Sequence, residues 1–430
     1  MTPTQLTLAV LLPVLLTIGV PIYVSLGLTG FAVAYFTDSP MQFASQTILN
    51  GVNQYPLLAI PAFILAGNLM EQGGITKHIV DIFRHMFGHI RGSLGMVTIF
   101  ACMFFAAISG SGPGTTAAIG GIMIPAMMRY GYPPAYAAAV AATGGTLGVL
   151  IPPSNPMIIY GLIANASIRD LFIAGVIPGL LVGLALAGVA YGMARYHKIE
   201  TVDREVGGEG RRSLASLVWE GKAALALPFL VLGGIYTGMF TPVEASVMAV
   251  VYSLIVGRFV YKSLEPAKLK IAFERTHMIS GALMIVVACS TLFARVITFE
   301  RIPQALVTAF SDMASGPLGV LLLINLLLLI IGCFMETMSA IIILSPILVP
   351  LVKSFGVDPV HFGMLLIVNV EIAFLTPPLG VNLFVAAQIA GIKIEKMFMS
   401  VLPFLFALLC VLSLITLVPA ISLWLPSLLR

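Results

Sequence analysis

The sequence predicts an all-α polytopic membrane protein with two inverted-topology repeats, each holding a re-entrant helical hairpin and a broken transmembrane helix. Three observations lead to this prediction. Apolar runs of membrane-spanning length recur throughout the 430 residues, of which 59% are hydrophobic and 9% charged. Short polar or proline-rich segments interrupt several of these runs. The interruptions recur at a constant spacing along the chain.

Composition narrows the possible classes of protein. The formal net charge of +4 comes from Lys and Arg in a few loops, so it reports membrane topology rather than nucleic-acid binding. The four cysteines lie inside apolar runs without paired spacing, which favours small buried side chains over a disulfide or a metal site. No Lys or Arg precedes the first apolar run, so we expect a mature helix there rather than a secretory signal. The lipid bilayer is therefore the first expected partner.

The internal repeat is visible in the prolines. Pro125 and Pro350 lie 225 positions apart, and the same spacing separates Pro152-Pro153 from Pro377-Pro378 and Pro178 from Pro403. If the basic loops at 77–91, 195–222 and 258–275 are cytoplasmic, the hairpin of the second half starts from the outer side of the membrane. The two halves are then inverted, and both termini are periplasmic.

Two polar tips predict ion sites. Ile108 to Thr116 places small hydroxyl residues and glycines within an apolar run, and Phe334 to Ser339 is its counterpart in the second half. Unpaired backbone groups at membrane depth are tolerated where they line a cavity, and hard cations take oxygen ligands. A close-packing turn is the alternative. The first predicted sodium site is Ser109, Ser111, Gly112, Thr143, Gly144 and Thr146, and the second is Glu336, Thr337, Ser339, Thr376, Pro377 and Gly380.

The proline-rich breaks predict an anionic substrate. Ile151 to Pro156 and Thr376 to Asn382 each leave the N-terminus of a half-helix at membrane depth, where the helix dipole favours an anion such as a carboxylate. The amides of Asn155 and Asn382 either orient this anion or cap their helices. The predicted substrate-binding residues are Gly114, Thr115, Pro153, Ser154, Asn155, Pro378 and Asn382.

Ionisable residues in or beside apolar spans are further candidates, because a charge there is costly unless it has a function. They are Glu244, Arg295, Glu336 and Glu371. Glu244 has an alternative interpretation. It closely follows Thr241-Pro242, so it is also suited to be an acid in the first turn of a helix.

An enzyme is not favoured, and no catalytic residues are expected. Gly110-Ser111-Gly112 resembles a nucleophile turn only loosely, and no histidine lies within a neighbouring apolar span to act as its base. His85 and His89 lack a third metal ligand nearby. Gly144 to Gly148 lacks the Gly-Lys-Ser/Thr ending of a phosphate loop, so ATP is not expected as an energy source.

Five motifs carry a family resemblance: Ala107 to Pro113, Met123 to Met127, Leu150 to Ser154, Leu171 to Gly179 and Thr376 to Gly380. Together they resemble the large membrane subunit of tripartite ATP-independent periplasmic (TRAP) transporters, and the similarity covers essentially the whole chain. Many relatives carry an aliphatic residue at the position of Asn155, which leaves the identity of the substrate open.

The resemblance implies a sodium-coupled importer in the bacterial inner membrane, with an elevator-type movement and two or more coupling Na⁺ ions. The expected substrates are organic-acid anions such as C4-dicarboxylates, sialic acid or related carboxylates. The expected partners are a periplasmic substrate-binding protein and a small four-helix membrane subunit. A stand-alone sodium/dicarboxylate symporter is the alternative, and a polytopic membrane enzyme is less favoured.

The resemblance also implies a division of the chain into scaffold and transport regions. The expected segments are scaffold helices at 1–75, a first transport region at 76–195, a cytoplasmic amphipathic connector at 196–222, scaffold helices at 223–300 and a second transport region at 301–430. Within the transport regions, the hairpins are expected at 93–128 and 317–352, the broken helices at 134–164 and 362–390, and the last helix at 398–425.

Overall fold

The computed structural model describes residues 3–37, 41–197, 199, 213–313, 316–377 and 380–429, and its regular elements there are all helices. In this portion of the chain, six helices are long and apolar enough to cross a membrane, and two bent helix pairs bring the number to as many as eight. The predicted all-α polytopic membrane architecture is therefore confirmed. The inverted relation of the two halves stays a prediction.

The first half of the chain contains one helical hairpin, whose arms are α6 and α7. It also contains a broken helix formed by α8, α9 and α10. Its helices are α1 (Pro3–Thr17), α2 (Ile22–Phe36), α3 (Met41–Val52), α4 (Ala59–Gln72), α5 (Ile75–Phe87), α6 (Leu94–Ser109), α7 (Gly112–Arg129), α8 (Pro134–Gly145), α9 (Leu147–Leu150), α10 (Asn155–Ala164) and α11 (Ile168–Tyr196). The axis bends by 41° between Pro134–Leu150 and Asn155–Ala164.

The second half of the described chain is also helical. Its helices are α12 (Leu214–Tyr236), α13 (Pro242–Ile255), α14 (Pro266–Phe299), α15 (Ile302–Met313), α16 (Gly316–Gly332), α17 (Thr337–Ser354), α18 (Pro359–Ala373), α19 (Val381–Ala390), α20 (Ile394–Leu417) and α21 (Ala420–Leu429). The helices α16 and α17 lie where the second hairpin was predicted, and α18 and α19 lie where the second broken helix was predicted.

Local sequence explains the first hairpin tip. Gly110 ends α6 with φ of 60°, a left-handed conformation that glycine adopts without a steric penalty. Ser111 then begins α7 as its N-cap, and its hydroxyl accepts a hydrogen bond from the Gly114 amide at 3.3 Å. The chain therefore reverses over two residues, and α6 packs against α7.

Several predicted boundaries are wrong. The last helix, predicted as one element at 398–425, is divided into α20 and α21, because Pro419 has no amide hydrogen with which to continue the helix. Residues 266–275, assigned to a basic loop, form the first turns of α14, where Lys270 and Glu274 are paired at 3.7 Å. Leu214–Lys222, assigned to the connector, begins α12, and residues 200–212 of that connector lie outside the described residues.

The sequence analysis missed the helices α3 and α15 and assigned most of α5 to the basic loop at 77–91. Residues Met41–Val52 form α3, which is bent by 54° from the following segment Tyr55–Gln72. The amide-rich stretch Gln46 to Gln54 breaks up the apolar run that a spanning helix would show.

Helix packing defines two groups of elements. The frame helices are α2, α3, α4, α13 and α14, among which α4 packs against α13 and α14, and α14 packs against α2 and α3. The hairpin bundle is α6–α10 with α16–α20, in which α7 packs against α8 and α19, and α10 packs against α17. The two groups meet where α4 contacts α6 and where α14 contacts α17. Any ligand held between them would contact both groups.

Glu244 has a local structural role. Its carboxylate accepts hydrogen bonds from the Thr241 amide at 2.8 Å and the Thr241 hydroxyl at 2.9 Å, and the Glu244 amide donates to that hydroxyl oxygen at 3.2 Å. This is a capping box at the start of α13. The interpretation of Glu244 as a first-turn acid is therefore the one that the structure supports.

We expect Thr241→Ala to lower the melting temperature of the purified protein by about 1–2 °C, because the first turn of α13 loses its cap. The sodium dependence of any transport activity should not change. Thermal unfolding in detergent measures the first effect, and uptake at varied sodium concentration measures the second. A variant with the normal melting temperature and altered sodium dependence would contradict the structural role.

Candidate functional site

A cavity of about 310 Å³ lies between the frame helices and the hairpin bundle. Its walls come from both hairpin tips, the beginning of α10, and the frame helices α4 and α14. Its polar lining residues are Asn68, Glu71, Ser109, Ser111, Asn155, Glu336, Thr337 and Glu371. The fold thus brings together the two tips that the sequence analysis selected as separate sites.

The first hairpin tip packs closely against the broken helix because that helix has glycines there. A methyl group on Gly148 would overlap the Ser111 carbonyl oxygen and the Thr115 hydroxyl, and one on Gly145 would lie 3.0 Å from the Gly112 carbonyl oxygen. The absence of side chains at these two positions lets the tip carbonyls reach the broken helix.

The residues of the first predicted sodium site are divided by this packing. Ser109, Ser111 and Gly112 lie at the tip and line the cavity. Thr143 instead donates its hydroxyl to the Ala139 carbonyl at 2.8 Å, within its own helix. A methyl group on Gly144 would lie 2.8 Å from Cys102 Sγ, so this glycine faces α6.

Thr146 lies at the junction between α8 and α9. Its hydroxyl donates to the Thr143 carbonyl oxygen at 2.7 Å, so its proton is used within the broken helix. The Ser109 hydroxyl similarly donates to the Ser111 carbonyl oxygen at 3.2 Å. Both hydroxyl oxygens therefore keep lone pairs with which to accept from, or coordinate, a further group.

Two asparagines approach the first tip from different halves of the chain. Asn155 donates from Nδ2 to the Gly110 carbonyl oxygen at 3.3 Å, while its Oδ1 has no hydrogen-bond partner among the described residues. Asn382 is fully buried, and both its amide atoms lack such a partner. A methyl group placed on Gly112 would lie 3.3 Å from both amide atoms of Asn382, so this side chain packs against the first tip.

The other predicted substrate residues surround the same tip. Gly114 lines the cavity, and the Pro153 carbonyl oxygen lies 3.0 Å from the position of a methyl group on Gly110. The hydroxyls of Thr115 and Ser154 are buried without a partner among the described residues. Pro378 lies outside the described residues. Buried polar atoms without partners are costly, so the cluster is suited to receive a ligand.

Two carboxylates lie at the second tip. The Thr337 hydroxyl donates to Glu371 Oε1 at 2.7 Å, and Glu371 is 3% exposed with its Oε2 unpaired among the described residues. Glu336 accepts from the Ser339 amide at 3.1 Å and from the Ser339 hydroxyl at 3.3 Å, and thereby caps α17. The carboxylates and the Thr337 hydroxyl provide oxygen atoms suited to a cation.

Three other residues of the second predicted sodium site, Thr376, Pro377 and Gly380, do not line the cavity at the hairpin tips. Thr376 donates its hydroxyl to the Ile372 carbonyl oxygen at 3.3 Å, four residues earlier in the chain. Pro377 and Gly380 line a different cavity, formed by α19 and the beginning of α20. The six residues predicted as one site therefore fall into two groups in this arrangement.

Sequence reasoning missed the contribution of α4. Asn68 lines the cavity and donates to the Thr276 hydroxyl at 2.9 Å, and Glu71 also lines it and is paired with Arg275 at 3.0 Å. These polar residues lie three positions apart near the end of an apolar run, a spacing that places them on one face of a helix. Glu371 was noted as ionisable but was not assigned to a site.

Broken helices and hairpin tips that surround an internal cavity define this protein as a multi-pass membrane transport protein. Residues 9–421 match the model of the family "Tripartite ATP-independent periplasmic transporter, DctM component". The chain belongs to this family. The predicted family membership is therefore confirmed.

Curated relatives support the same assignment. The isethionate TRAP transporter permease protein DctMQ of Oleidesulfovibrio alaskensis is 43% identical over 410 residues, which cover 95% of this chain and 64% of that protein. The C4-dicarboxylate TRAP transporter large permease protein DctM of Pseudomonas aeruginosa is 41% identical, with 94% of each chain covered. The sialic acid large permease SiaM of Vibrio cholerae is 37% identical, with 96% of each covered. These proteins are permeases, which agrees with the prediction that this chain is not an enzyme.

Among solved structures, the chain is similar to the YdaH transporter of Alcanivorax borkumensis. The TM-score is 0.65 at 14% sequence identity, with 89% of this chain and 88% of that chain covered. The general fold is therefore shared with a known transporter.

Proposed function

We propose that the protein is the large permease subunit of a sodium-coupled importer of organic-acid anions in the bacterial inner membrane. The proposed cargo is a C4-dicarboxylate, sialic acid, isethionate or a related small acid, since relatives are named for these substrates. Two or more Na⁺ ions would travel with it, and ATP would not be required. A periplasmic binding protein would deliver the acid, and a small four-helix membrane subunit would complete the assembly.

One observation carries this proposal: both hairpin tips and the start of α10 meet at a single cavity that the frame helices also line. At the second tip, Glu336, Thr337 and Glu371 offer oxygen atoms to a cation. At the first tip, Asn155 and Asn382 present amide atoms without partners among the described residues. An acid and its counter-ions could thus be bound side by side, because the cations offset the charge of the acid.

The helix packing suggests how such a cavity could change sides. The tips belong to the hairpin bundle, whereas Asn68, Glu71, Ile279 and Leu283 belong to the frame helices. Sliding of the bundle against the frame would carry the tips and their cargo away from these frame residues. We propose this elevator-type movement as the transport step, with both chain termini on the periplasmic side.

Uptake into proteoliposomes tests the proposal. The complete assembly should accumulate the acid only when a sodium gradient, the small subunit and the binding protein are all present. Ser109→Ala and Thr337→Ala should each raise the half-saturating sodium concentration about tenfold, because each removes one oxygen ligand or the support of one. Ser413→Ala is the matched control, since this exposed hydroxyl donates to the Leu409 carbonyl of its own helix at 2.8 Å.

Two outcomes would count against this function. Uptake driven by a proton gradient alone, with both variants normal, would reject sodium coupling. Uptake without any binding protein would instead favour the alternative, a stand-alone sodium/dicarboxylate symporter.

A further inference from the structure

A second and larger cavity, of about 820 Å³, lies near the other end of the frame. The frame helix α14 begins beside the end of α4. The hydroxyl of Ser263, just before α14, donates to the carbonyl oxygen of Gly73, just after α4. The second cavity is lined by residues from the last turns of the same helix, including Arg295 and Thr298. Its opposite wall is formed by α10 and α17 of the hairpin bundle. It is thus distinct from the cavity at the hairpin tips.

The charges in this cavity are of one sign. The charged residues among its described lining residues are Arg295 from the frame and Lys353 from the hairpin bundle, with no Asp or Glu among them. The Arg295 guanidinium carbon lies 5.3 Å from the centre of the Phe299 ring, and Lys353 Nζ donates to the Ala164 carbonyl oxygen at 3.2 Å. A space bordered by two cations and no described acid favours an anion.

Neutral polar groups complete the lining. Gln46 and Asn50 lie four positions apart on α3, which places them on one face of that helix, and both border the cavity. Across from them, Ser345 of α17 is fully buried, and its hydroxyl has no partner among the described residues. Amides and a free hydroxyl can donate hydrogen bonds to carboxylate or sulfonate oxygens.

On the frame side of the cavity, close packing fixes the distance between α3 and α14. A methyl group on Gly51 of α3 would overlap the Thr291 side chain of α14, so these two helices are in close contact there. Arg295 lies one helical turn after Thr291, and Asn50 directly precedes Gly51. The contact between Gly51 and Thr291 therefore also fixes the position of Arg295 relative to Asn50. Lys353 lies on α17, which belongs to the hairpin bundle.

We propose that this cavity is an anion-binding vestibule that holds a small carboxylate or sulfonate on its way to the cavity at the hairpin tips. Its position on the route of entry rests on the proposed function, whereas its affinity for anions does not. Because Arg295 and Lys353 lie on different groups of helices, movement of the bundle would separate the two cations. The anion would then be held less tightly, which favours its onward transfer.

Thiol labelling tests the electrostatic basis of the proposal. We would introduce Asn50→Cys into the full assembly, with the exposed Cys410 replaced by serine, and compare modification by anionic and cationic methanethiosulfonate reagents. The combined change Arg295→Gln with Lys353→Gln should lower the ratio of anionic to cationic labelling rates about tenfold. Succinate or isethionate should slow the anionic reagent. Lys270→Gln, an exposed charge on the same helix, is the matched control.

A transport measurement complements the labelling. Arg295→Gln should raise the half-saturating acid concentration for uptake about tenfold, because a charge-assisted hydrogen bond is lost, and should leave the half-saturating sodium concentration unchanged. Arg295→Lys should restore most of the loss. If the double change leaves the labelling ratio unaffected in a protein with a normal elution profile, the proposed anion-binding vestibule is wrong. If the ratio of anionic to cationic labelling rates falls as expected but uptake does not depend on sodium, only the proposed function is rejected.

Discussion

Replacing Glu371 with glutamine should nearly abolish sodium-driven uptake. The carboxylate is buried at the second hairpin tip, accepts a hydrogen bond from Thr337 at 2.7 Å, and leaves one oxygen without a partner among the described residues. A unit charge about 4 Å from a cation contributes on the order of 4 kcal/mol at an effective dielectric constant near 20. Allowing for the desolvation of both charges, we expect the half-saturating sodium concentration to rise about a hundredfold.

Glutamine is the appropriate replacement because it keeps the size of the side chain and an oxygen that can accept from Thr337. The measurement is uptake by the reconstituted assembly over a wide range of sodium concentrations, together with the melting temperature of the purified variant. Glu274→Gln is the control, since this carboxylate is exposed on α14 and paired only at the surface with Lys270. Normal sodium dependence in Glu371→Gln would remove this residue from the proposed cation site.

Gly148→Ala should have the second large effect. The added methyl group would overlap the Ser111 carbonyl oxygen and the Thr115 hydroxyl, so the hairpin tip must move away from the broken helix. Overpacking of this kind costs about 1–3 kcal/mol. Because the displaced carbonyl belongs to the tip, we expect uptake to fall about tenfold or more and the melting temperature to decrease.

Gly121→Ala on α7 is the matched control, because a methyl group there meets no atom within 4 Å. It introduces the same chemical change into the same hairpin without a steric conflict. The two variants should be compared by initial uptake rate at saturating sodium and by thermal unfolding. Equal rates for both would show that the contact between the tip and the broken helix has no role in transport.

Much of the fold could be predicted because its signals are local. Apolar runs of spanning length identify the membrane helices, and Gly110 and the prolines near 152 identify positions where a helix must end. The helix α3 escaped detection since its amides interrupt the apolar pattern, and the break at Pro419 was overlooked within a long apolar segment. Helix boundaries depend on capping and on neighbouring helices, which composition does not report.

The candidate site could be predicted only to a limited extent. The two tips were selected from polar interruptions in apolar runs, and the structure places both at one cavity. The sequence analysis nevertheless grouped Glu336 with Pro377 and Gly380, which line another cavity. The partner that contacts Thr337 is Glu371, one turn before the break in the broken helix. Such a contact depends on how the second hairpin packs on α18.

By itself, the sequence determined that this is a helical membrane protein whose apolar runs are interrupted by two polar tips and by proline-rich breaks. Hydrophobicity, glycine and proline act over a few neighbouring residues, so these features can be recognised without a fold. Only the tertiary structure decided that Asn382 lies beside Gly112, that Glu371 binds Thr337, and that Asn68 and Glu71 of the frame complete the cavity. These contacts join segments that are distant in the chain, and the packing of whole helices sets which side chains meet.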